Sequence, residues 1–203
     1  MANLLKSIKR KNMSFTTKYY KKMKLKDKYI FRSYNPVFPQ LFKSEKARLQ
    51  KILGKDVLID HIGSTAVPGL GGKGVIDISV TTPKINWPEI CKKLKNLGYE
   101  YKKKGAEREK ERLFFMANLP DEEFGTRLYH IHLSYPESPE FKKEIGFRDY
   151  LRSHPKEVKN YAKIKMKAAK EAQKFTSKNK MRDTYNQIKK NFIEGILKSL
   201  NYD

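Results

Sequence analysis

The sequence has little of what would place it among disulfide-stabilised or membrane-spanning proteins. Its 203 residues include a single cysteine, Cys91, which excludes an internal disulfide and a zinc site built from cysteines. No stretch of about 18 consecutive apolar residues is present, as a transmembrane helix requires. The basic start of the chain also lacks the continuous apolar run of a secretory signal. Together these absences predict a cytoplasmic protein in a reducing compartment.

Acidic residues are also scarce. The chain carries 22 Asp and Glu against 45 Lys and Arg, for a formal net charge of +23. Residues 1–28 and 156–190 each carry a net charge of +9, so two segments hold most of the excess. Blocks of like charge attract polyanions such as nucleic acid or an anionic membrane surface. The alternative is that the lysines only keep the surface solvated, and the sequence leaves both interpretations open.

The length of the chain favours one domain. Hydrophobic residues make up 38% of the sequence, which is enough apolar material for a core. We interpret residues 1–27 as a flexible, lysine-rich N-terminal tail. Residues 28–203 are then a single domain that is helical from about residue 138 onward. No pattern in the sequence indicates the oligomeric state.

Hydrophobic periodicity predicts an α+β fold. Apolar residues at helical spacing predict one helix that ends at Gly54 and a shorter one that ends at Gly98. Apolar runs and alternating patterns predict strands at 57–62, 75–82, 99–103, 112–117 and 127–134. Segment 118–126 is rich in acids, proline and glycine and is predicted to be a loop. The expected architecture is a mixed sheet of four or five strands flanked by helices, with a helical C-terminal region.

The segment 61–80 is the most informative part of the chain. A glycine-dense loop joins two β-rich stretches, with Gly63 and Ser64 at its start and Lys73 near its end. Backbone N–H groups in such a loop can converge on a phosphate, because glycine has no Cβ to block a close approach. Asp77, just inside the following strand, can hold the Mg²⁺ that accompanies that phosphate. The pattern therefore indicates a nucleotide triphosphate site.

Two histidines on a predicted strand extend this candidate site. His130 and His132 are two residues apart, so both side chains point to one face of the sheet. If their strand lies beside that of Asp77, the three residues can form a metal site. The alternative is that both histidines hydrogen-bond to neighbouring loops. His61 either contacts phosphate or braces the turn, and bracing is the favoured interpretation.

Several charged residues complete the candidates. Arginine binds phosphate or carboxylate through a fork of N–H donors, and it pairs equally well with acidic side chains. The four arginines open to both interpretations are Arg112, Arg127, Arg148 and Arg152. Glu45 lies among the apolar positions of the first predicted helix. We interpret it as the partner of a buried arginine or, as a second option, as a supplementary acid.

The strand–loop–strand segment resembles the nucleotidyltransferase fold. The signature of that fold is Gly-Ser or Gly-Gly at the end of one strand, followed by an acid-x-acid pair on the next. The two acids of the pair bind two metal ions that clamp the attacking and leaving oxygens. Gly63, Ser64 and Asp77 match this pattern, whereas Ser79 occupies the place of the second acid.

Five motifs in order make the chain similar to the GrpB family, a branch of the nucleotidyltransferase superfamily. The resemblance covers about residues 28–198. The motifs are His61 to Leu70 with Asp77, Arg112-x-Phe114-Phe115, Arg127-x-x-His130-x-His132, Phe147 to Leu151 with Arg152 and His154-Pro155, and Tyr161-x-x-x-Lys165. Tyr185 followed by Lys189 and Lys190 also resembles the closing helix of the family. The resemblance implies a nucleotidyltransferase-like fold, and a single acid on the second strand is typical of this branch.

The expected function is Mg²⁺-dependent transfer of a nucleotidyl group to a small-molecule or protein acceptor, with Mn²⁺ or a His-bound divalent ion as alternative metals. The predicted phosphate contacts are Gly63, Ser64, Thr65, Lys73, Arg127, Arg148 and Arg152. The predicted catalytic residues are Asp77 and His132, and the predicted metal ligands are Asp77, His130 and His132. The further predicted pocket residues are His61, Glu45 and Arg112.

A first alternative is a non-catalytic module that binds a nucleotide or another phosphorylated small molecule and has lost the two-metal site. A second is an RNA- or membrane-associated protein that acts through its lysine-rich ends.

Overall fold

The structure is a computed structural model that describes residues 29–103, 105–122 and 125–202. The predicted tail, residues 1–27, lies outside the described residues. Six α-helices are present in the described part of the chain: α1 (Phe38–Leu53), α2 (Trp87–Asn96), α3 (Ala106–Glu111), α4 (Pro139–Ser153), α5 (Pro155–Ala172) and α6 (Lys178–Ser199). The strands are β1 (Leu58–Ile62), β2 (Ile76–Thr81), β3 (Glu100–Tyr101), β4 (Leu113–Asp121) and β5 (Gly125–Ser134). Two short 3₁₀ turns cover Ser64–Ala66 and Lys84–Asn86.

The helices begin and end where the sequence supplies the appropriate residues. α1 has Pro39 in its first turn, where a missing N–H costs nothing, and it ends at Gly54 with φ +107°. α4 begins after Ser138, whose Oγ accepts a hydrogen bond from the N–H of Phe141 at 3.4 Å. The expectation of a helical region from about residue 138 onward agrees with the start of α4 at Pro139.

The five strands form one mixed sheet in the order β1-β2-β5-β4-β3. β2 and β5 are parallel, and the other neighbouring pairs are antiparallel. The prediction of an α+β fold with a mixed sheet of four or five strands is confirmed. The parallel pair places Asp77 opposite His130 and Ser79 opposite His132. The residues predicted to carry the chemistry therefore share the centre of the sheet.

One face of the sheet forms the main core. α1 and α2 cover this face, and their buried residues pack against alternate residues of β2 and β5. Ile78, Val80, Ile131 and Leu133 are each 0% exposed. Burial of these branched side chains on a pleated surface is the main stabilising term of the domain.

The helical C-terminal region packs against the glycine-rich loop. Val67 and Leu70 of this loop lie in a buried cluster with Leu151 of α4, Val158 of α5 and Ile196 of α6. α5 and α6 also pack on each other, since Ala168 and Ala172 lie in one cluster with Met181 and Tyr185. The loop is thus clamped between the sheet and three helices of the same chain.

The hairpin between β4 and β5 differs from the prediction. Segment 118–126 was expected to be a loop, but β4 runs to Asp121 and β5 begins at Gly125. The proline does not prevent this, because β3 pairs only with Phe115 and Met116 of β4. Beyond those residues β4 is an edge strand, and Pro120 needs no N–H for a neighbour on that side.

The sequence predicted no transmembrane helix, and the part of the chain that the structure describes agrees with this. None of its helices is sufficiently long and apolar to span a bilayer.

Candidate functional site

The glycine-rich loop approaches Asp77 closely at its start. Gly63 has φ +71°, and a Cβ at this position would lie 2.5 Å from Oδ2 of Asp77. A side chain is therefore excluded by sterics as well as by the backbone conformation. A Cβ at Gly72 would lie 2.6 Å from Nζ of Lys165 and 2.7 Å from Oγ of Ser64. The glycines bring the backbone against the polar groups of the site.

His61 and Thr65 hold the base of this loop. The hydroxyl of Thr65 donates to the carbonyl of Val75 at 2.9 Å, so Nε2 of His61, 3.0 Å away, is the donor to Thr65 Oγ1. The ring of His61 stacks on Phe42 with centroids 4.6 Å apart. Burial lowers the pKa of His61 to about 4, so the ring is neutral. The structure places His61 as a brace of the turn. It also buries Thr65, a predicted phosphate contact, within the fold.

A cavity of about 210 Å³ lies between this loop and the C-terminal helices. The predicted residues that line it are Gly63, Ser64, Lys73, Asp77 and Arg148. Its other polar lining residues are Glu144, Tyr161, Lys165, Tyr185 and Lys189. The loop, the sheet and three helices therefore meet at one small, highly charged space.

Three lysines give the cavity its positive charge. None of Lys73, Lys165 and Lys189 forms an ion pair with a carboxylate of the described residues. Burial, together with Lys189, lowers the pKa of Lys165 to about 7. Burial and Lys73 lower the pKa of Lys189 to about 8, and burial lowers that of Lys73. Three amines with too few counterions are a strong electrostatic signal for an anionic ligand.

Tyrosine rings partly compensate the lysine charges. Nζ of Lys189 lies 4.3 Å from the ring centroid of Tyr185. Nζ of Lys73 lies 5.4 Å from the same centroid and 5.5 Å from that of Tyr29. The faces of these rings carry partial negative charge, so they stabilise ammonium groups without neutralising them.

Asp77, His130 and His132 form a compact cluster beside the cavity. Nδ1 of His130 lies 2.8 Å from Oδ1 of Asp77. Burial alone would raise the pKa of Asp77, but the hydrogen bond to His130 and the nearby charges lower it to about 2. The carboxylate is thus ionised at neutral pH. Burial lowers the pKa of His130, whereas the hydrogen bond between its Nδ1–H and the Asp77 carboxylate raises it.

His132 is oriented by a carboxylate from α4. Its Nδ1 lies 2.6 Å from Oε1 of Glu144. A carboxylate oxygen only accepts, so Nδ1 carries a hydrogen in this contact, and Nη1 of Arg112 also lies 3.1 Å from Nδ1. Arg112 donates to the same oxygen of Glu144. Arg112 therefore holds Glu144 in place and does not itself line the cavity.

Two of the predicted phosphate contacts, Arg127 and Arg152, lie outside this cavity. Arg127 is buried, donates to Asp121 at 2.5 Å and donates to the carbonyl of Gly74 at 3.1 Å, so it supports the end of the loop. Arg152 donates to the carbonyl of Ala66 at 2.9 Å and lines a second cavity of about 730 Å³ on the other side of the loop. Both arginines stay outside the first cavity because they donate to backbone carbonyls of the loop.

Glu45 is remote from the cavity. It accepts from Arg48 and, at 2.8 Å, from the hydroxyl of Tyr99 in the main core. A buried arginine partner was predicted for Glu45, whereas its actual partner, Arg48, is half-exposed. Arg148, in contrast, lines the cavity, pairs with Asp149 at 2.7 Å and donates to the carbonyl of His61 at 3.0 Å.

Ser79 contributes nothing to the cavity. It is 0% exposed, and its hydroxyl lies 3.3 Å from that of Thr81. The position that carries the second acid of the nucleotidyltransferase pattern is therefore filled by a buried hydroxyl that is satisfied within its own strand.

Sequence reasoning did not assign Lys165, Lys189, Tyr185 and Glu144 to the site. A signal was present for three of them. Lys165 lies four residues after Tyr161, and Lys189 lies four residues after Tyr185, which places each pair on one helix face. Because the two helices pack on each other, both pairs reach the cavity. Glu144 carried no such signal, since its position depends on where α4 docks.

The donor set of the cluster decides which metal it suits. Mg²⁺ requires a near-octahedral set of oxygen ligands. The cluster offers one carboxylate and two imidazoles, and the hydroxyl of Ser79 is buried against that of Thr81. These residues do not fit Mg²⁺. The predicted alternative, a His-bound divalent ion, agrees better with the donor chemistry.

The chain is similar in sequence to several bacterial proteins. A UPF0157 protein of Pseudomonas aeruginosa is 34% identical over 133 residues, which are 64% of this chain and 53% of that protein. The UPF0157 protein YqkA of Bacillus subtilis is 31% identical, over 67% of this chain and 38% of its own length. The match thus spans about half or less of these two relatives. Glutamate-rich protein GrpB of Alkalihalophilus pseudofirmus is 29% identical over 86% of this chain and 97% of its own length.

Two solved structures are also similar to this chain, and the first of them bears the same family name. The crystal structure of conserved protein GrpB from Enterococcus faecalis matches with a TM-score of 0.67 and 27% identity, covering 84% of this chain and 96% of that one. A poly (U) polymerase with MgGTP bound matches with a TM-score of 0.47 and 14% identity, covering 70% of this chain and 44% of that one. The family model described as GrpB protein matches residues 29–199. Since this match covers most of the chain, the protein belongs to the GrpB family.

Proposed function

We propose that the cavity binds the phosphate groups of a nucleotide or another phosphorylated small molecule, and that the protein transfers a nucleotidyl group to a small-molecule or protein acceptor. The observation that carries the proposal is the group of lysine amines, Lys73, Lys165 and Lys189, that face the cavity without carboxylate partners among the described residues. A bound polyphosphate supplies the missing negative charge.

The size of the cavity supports phosphate binding. Its volume of about 210 Å³ equals that of roughly seven water molecules at about 30 Å³ each. Two or three phosphate groups fill such a space, whereas a base and a ribose need additional room. In the proposed complex the phosphates therefore enter the cavity and the nucleoside lies at its mouth.

The loop supplies uncharged donors to the same ligand. Gly63 and Ser64 line the cavity directly, and the Ser64 hydroxyl lies near Nζ of Lys165 across Gly72. Hydroxyl and backbone N–H groups at a glycine-rich turn bind phosphate oxygens without the desolvation cost of a further charge. The mixed set of donors favours a phosphate over a simple carboxylate.

In the proposed reaction an acceptor oxygen or nitrogen forms a bond to the α-phosphorus. The bond to the pyrophosphate oxygen breaks, pyrophosphate leaves with the electron pair, and the acceptor proton is lost to solvent. Lys165 and Lys189 stabilise the charge that develops on the leaving pyrophosphate. Asp77, one of the two predicted catalytic residues, lines the cavity, and His132, the other, lies in one cluster with it.

Calorimetric titration of the full chain with pyrophosphate and with each of the four common nucleoside triphosphates tests the binding. We expect Lys165→Met to weaken binding at least about tenfold, because one charge-assisted contact is lost. Lys163→Met is the matched control, since Lys163 is an exposed lysine on the same helix. If no anion binds, or if both variants bind like the wild type, the proposal is wrong.

Transfer is tested separately from binding. Nucleoside triphosphates labelled at the α-phosphate are incubated with the protein and with pooled small-molecule and protein extracts, and pyrophosphate release and labelled products are measured. Ser79 favours the alternative of a non-catalytic module, because the second acid of the two-metal pattern is missing. Nucleotide binding that is lost in Lys165→Met, without release of pyrophosphate, would support that alternative.

An exposed face of α5 favours nucleic-acid binding as a second function. Five exposed lysines recur there at intervals of three and four residues: Lys156, Lys159, Lys163, Lys167 and Lys170. Fourteen residue steps separate the first from the last, or about 21 Å of helix at 1.5 Å per residue. Binding to RNA that weakens steeply with salt, and that is lost in the triple variant Lys163→Glu, Lys167→Glu, Lys170→Glu, would support it. Deletion of residues 1–27 tests the contribution of the N-terminal segment.

A further inference from the structure

The register of the sheet assembles a set of metal-binding donors. Alternate residues of a strand share a face, so the pairing of β2 with β5 places Asp77, His130 and His132 together. One ligand atom from each of the three lies within 4.8 Å of the others. Two ligands that each lie about 2.1 Å from one ion are at most about 4.2 Å apart. Small side-chain rotations are therefore enough to close the cluster around a single ion.

We propose that this cluster binds a transition-metal dication such as Zn²⁺, Co²⁺ or Fe²⁺ in preference to Mg²⁺. Two imidazoles and one carboxylate are the donors that these ions prefer, whereas Mg²⁺ prefers oxygen ligands throughout. The buried hydroxyl of Ser79 points to Thr81, so the strand supplies no second oxygen ligand at that position.

One hydrogen bond beside the cluster matches those of metal-binding histidines. His132 donates from Nδ1 to Glu144, which is not one of the three proposed ligands, so Nε2 of His132 is the nitrogen left for a metal. Nδ1 of His130 lies 2.8 Å from Oδ1 of Asp77, a separation that two ligands of one ion can also have, so His130 binds through Nδ1 once its hydrogen is on Nε2. A carboxylate–histidine pair such as Glu144 with His132 fixes the tautomer and the orientation of a ligand. The structure thus assigns Glu144, with Arg112 behind it, to positioning His132.

Phe114 fixes the planes of the two rings. Its ring centroid lies 4.8 Å from that of His130 and 5.3 Å from that of His132, and both contacts are edge-to-face. Oδ2 of Asp77, the oxygen that does not contact His130, lies against Gly63, where no Cβ occupies the space. The donor atoms are held in place before any ion binds, which lowers the cost of binding one.

The test uses the full chain, freed of metals by a chelator, and the metal alone with no nucleotide. Co²⁺ is titrated by its visible absorption, and Zn²⁺ and Mg²⁺ are titrated by calorimetry. We expect Co²⁺ and Zn²⁺ to bind at a ratio of one per chain, at least 100-fold more tightly than Mg²⁺, on the order of the separation between these ions at nitrogen donors. His132→Ala is expected to abolish this binding, and Glu144→Gln to weaken it about tenfold or more.

Because the chain has few histidines and one cysteine, metal binding can be assigned to particular residues. The sequence contains four histidines and one cysteine, so His154→Gln is a matched control on a surface histidine far from the cluster. Equal affinity for Mg²⁺ and Co²⁺, absence of any binding, or Co²⁺ binding that survives in His132→Ala would overturn the proposal. Because no nucleotide is present, this outcome is distinct from a failure of phosphate binding.

Discussion

The two faces of β2 and β5 carry opposite chemistry on the same strands. On the face toward α1 and α2, Ile78 and Ile131 are completely buried. On the opposite face, the side chains of Asp77 and His132 keep 22% and 15% of their exposure. The backbone pattern is the same on both faces, so the difference comes from the side chains on each face and from what packs above them.

This contrast shows how the domain separates stability from chemistry. The apolar face is covered by α1 and α2, which lie before and after β2 in the sequence, and it supplies most of the buried hydrocarbon. The polar face is covered by the glycine-rich loop and by α4, α5 and α6, and a cavity lies between them. Charged groups on that face are tolerated because hydrogen bonds and a space for an anion compensate their burial.

The largest expected effect compares two adjacent residues of β5 that lie on opposite faces of the sheet. It tests whether stability and chemistry are separated between these faces. Ile131→Ala should lower the free energy of unfolding by about 2–5 kcal/mol, because it leaves a cavity in the core. His132→Ala should lower it by only about 1 kcal/mol, since Glu144 keeps its bond from Arg112. Denaturant unfolding of both variants measures the difference. Equal losses for the two variants would contradict the separation.

The next effect compares two glycines that both have positive φ. Gly54→Ala and Gly63→Ala each force an alanine into a conformation that costs about 1–3 kcal/mol. At Gly54 nothing lies within 4 Å of the added Cβ, whereas at Gly63 the Cβ meets Asp77 at 2.5 Å. We therefore expect Gly63→Ala to destabilise the protein by about 1 kcal/mol more. The same denaturant titration shows whether the additional cost is present.

A smaller effect should run in the opposite direction. Lys165→Met removes a buried ammonium group, so at pH 6 it should raise the free energy of unfolding by about 1–2 kcal/mol while it weakens phosphate binding. The pKa of Lys165 is lowered to about 7 in the folded state, so the unfolded chain holds this proton to higher pH. Wild-type stability from this group therefore rises as the pH increases above 7. The gain in Lys165→Met should shrink accordingly by pH 9, and the exposed-site variant Lys163→Met should show no such pH dependence.

The smallest effect concerns the pH dependence of anion binding. Sulfate keeps a constant charge between pH 6 and 9, so its affinity reports the protein groups alone. Because the pKa values of Lys165 and Lys189 are lowered to about 7 and 8, both amines lose their protons across this range. We expect sulfate affinity to fall about tenfold, as measured by calorimetry. A flat profile would show that neither amine faces the anion.

Much of the fold was predictable because its signals are local. The boundaries of α1 follow from Pro39 and Gly54, and the alternation in β5 follows from a period of two. The hairpin at Pro120 was predicted wrongly, because a stretch that contains a proline is compatible with an edge strand only when the neighbouring strand is short. Local composition does not reveal the length of a neighbouring strand.

The candidate site was predictable only in part for the same reason. Gly63, Ser64 and Asp77 lie close together in sequence, and the structure keeps them together. Arg127 and Arg152 carried the same charge signal as Arg148, yet only Arg148 lines the cavity. Which arginine meets the cavity depends on how α4 docks and on which backbone carbonyls of the loop need a donor.

The sequence by itself determined the family, the α+β class, the glycine-rich turn with its single carboxylate, and the two histidines on one strand face. These features depend on residues that are neighbours or that follow a simple period. The tertiary structure alone decided that Lys165, Lys189 and Glu144 converge on that turn, and that β5 lies parallel to β2 with His130 beside Asp77. The reason is physical: the packing of α4, α5 and α6 is set by distributed apolar contacts, and no single residue encodes where a distant charge will come to lie.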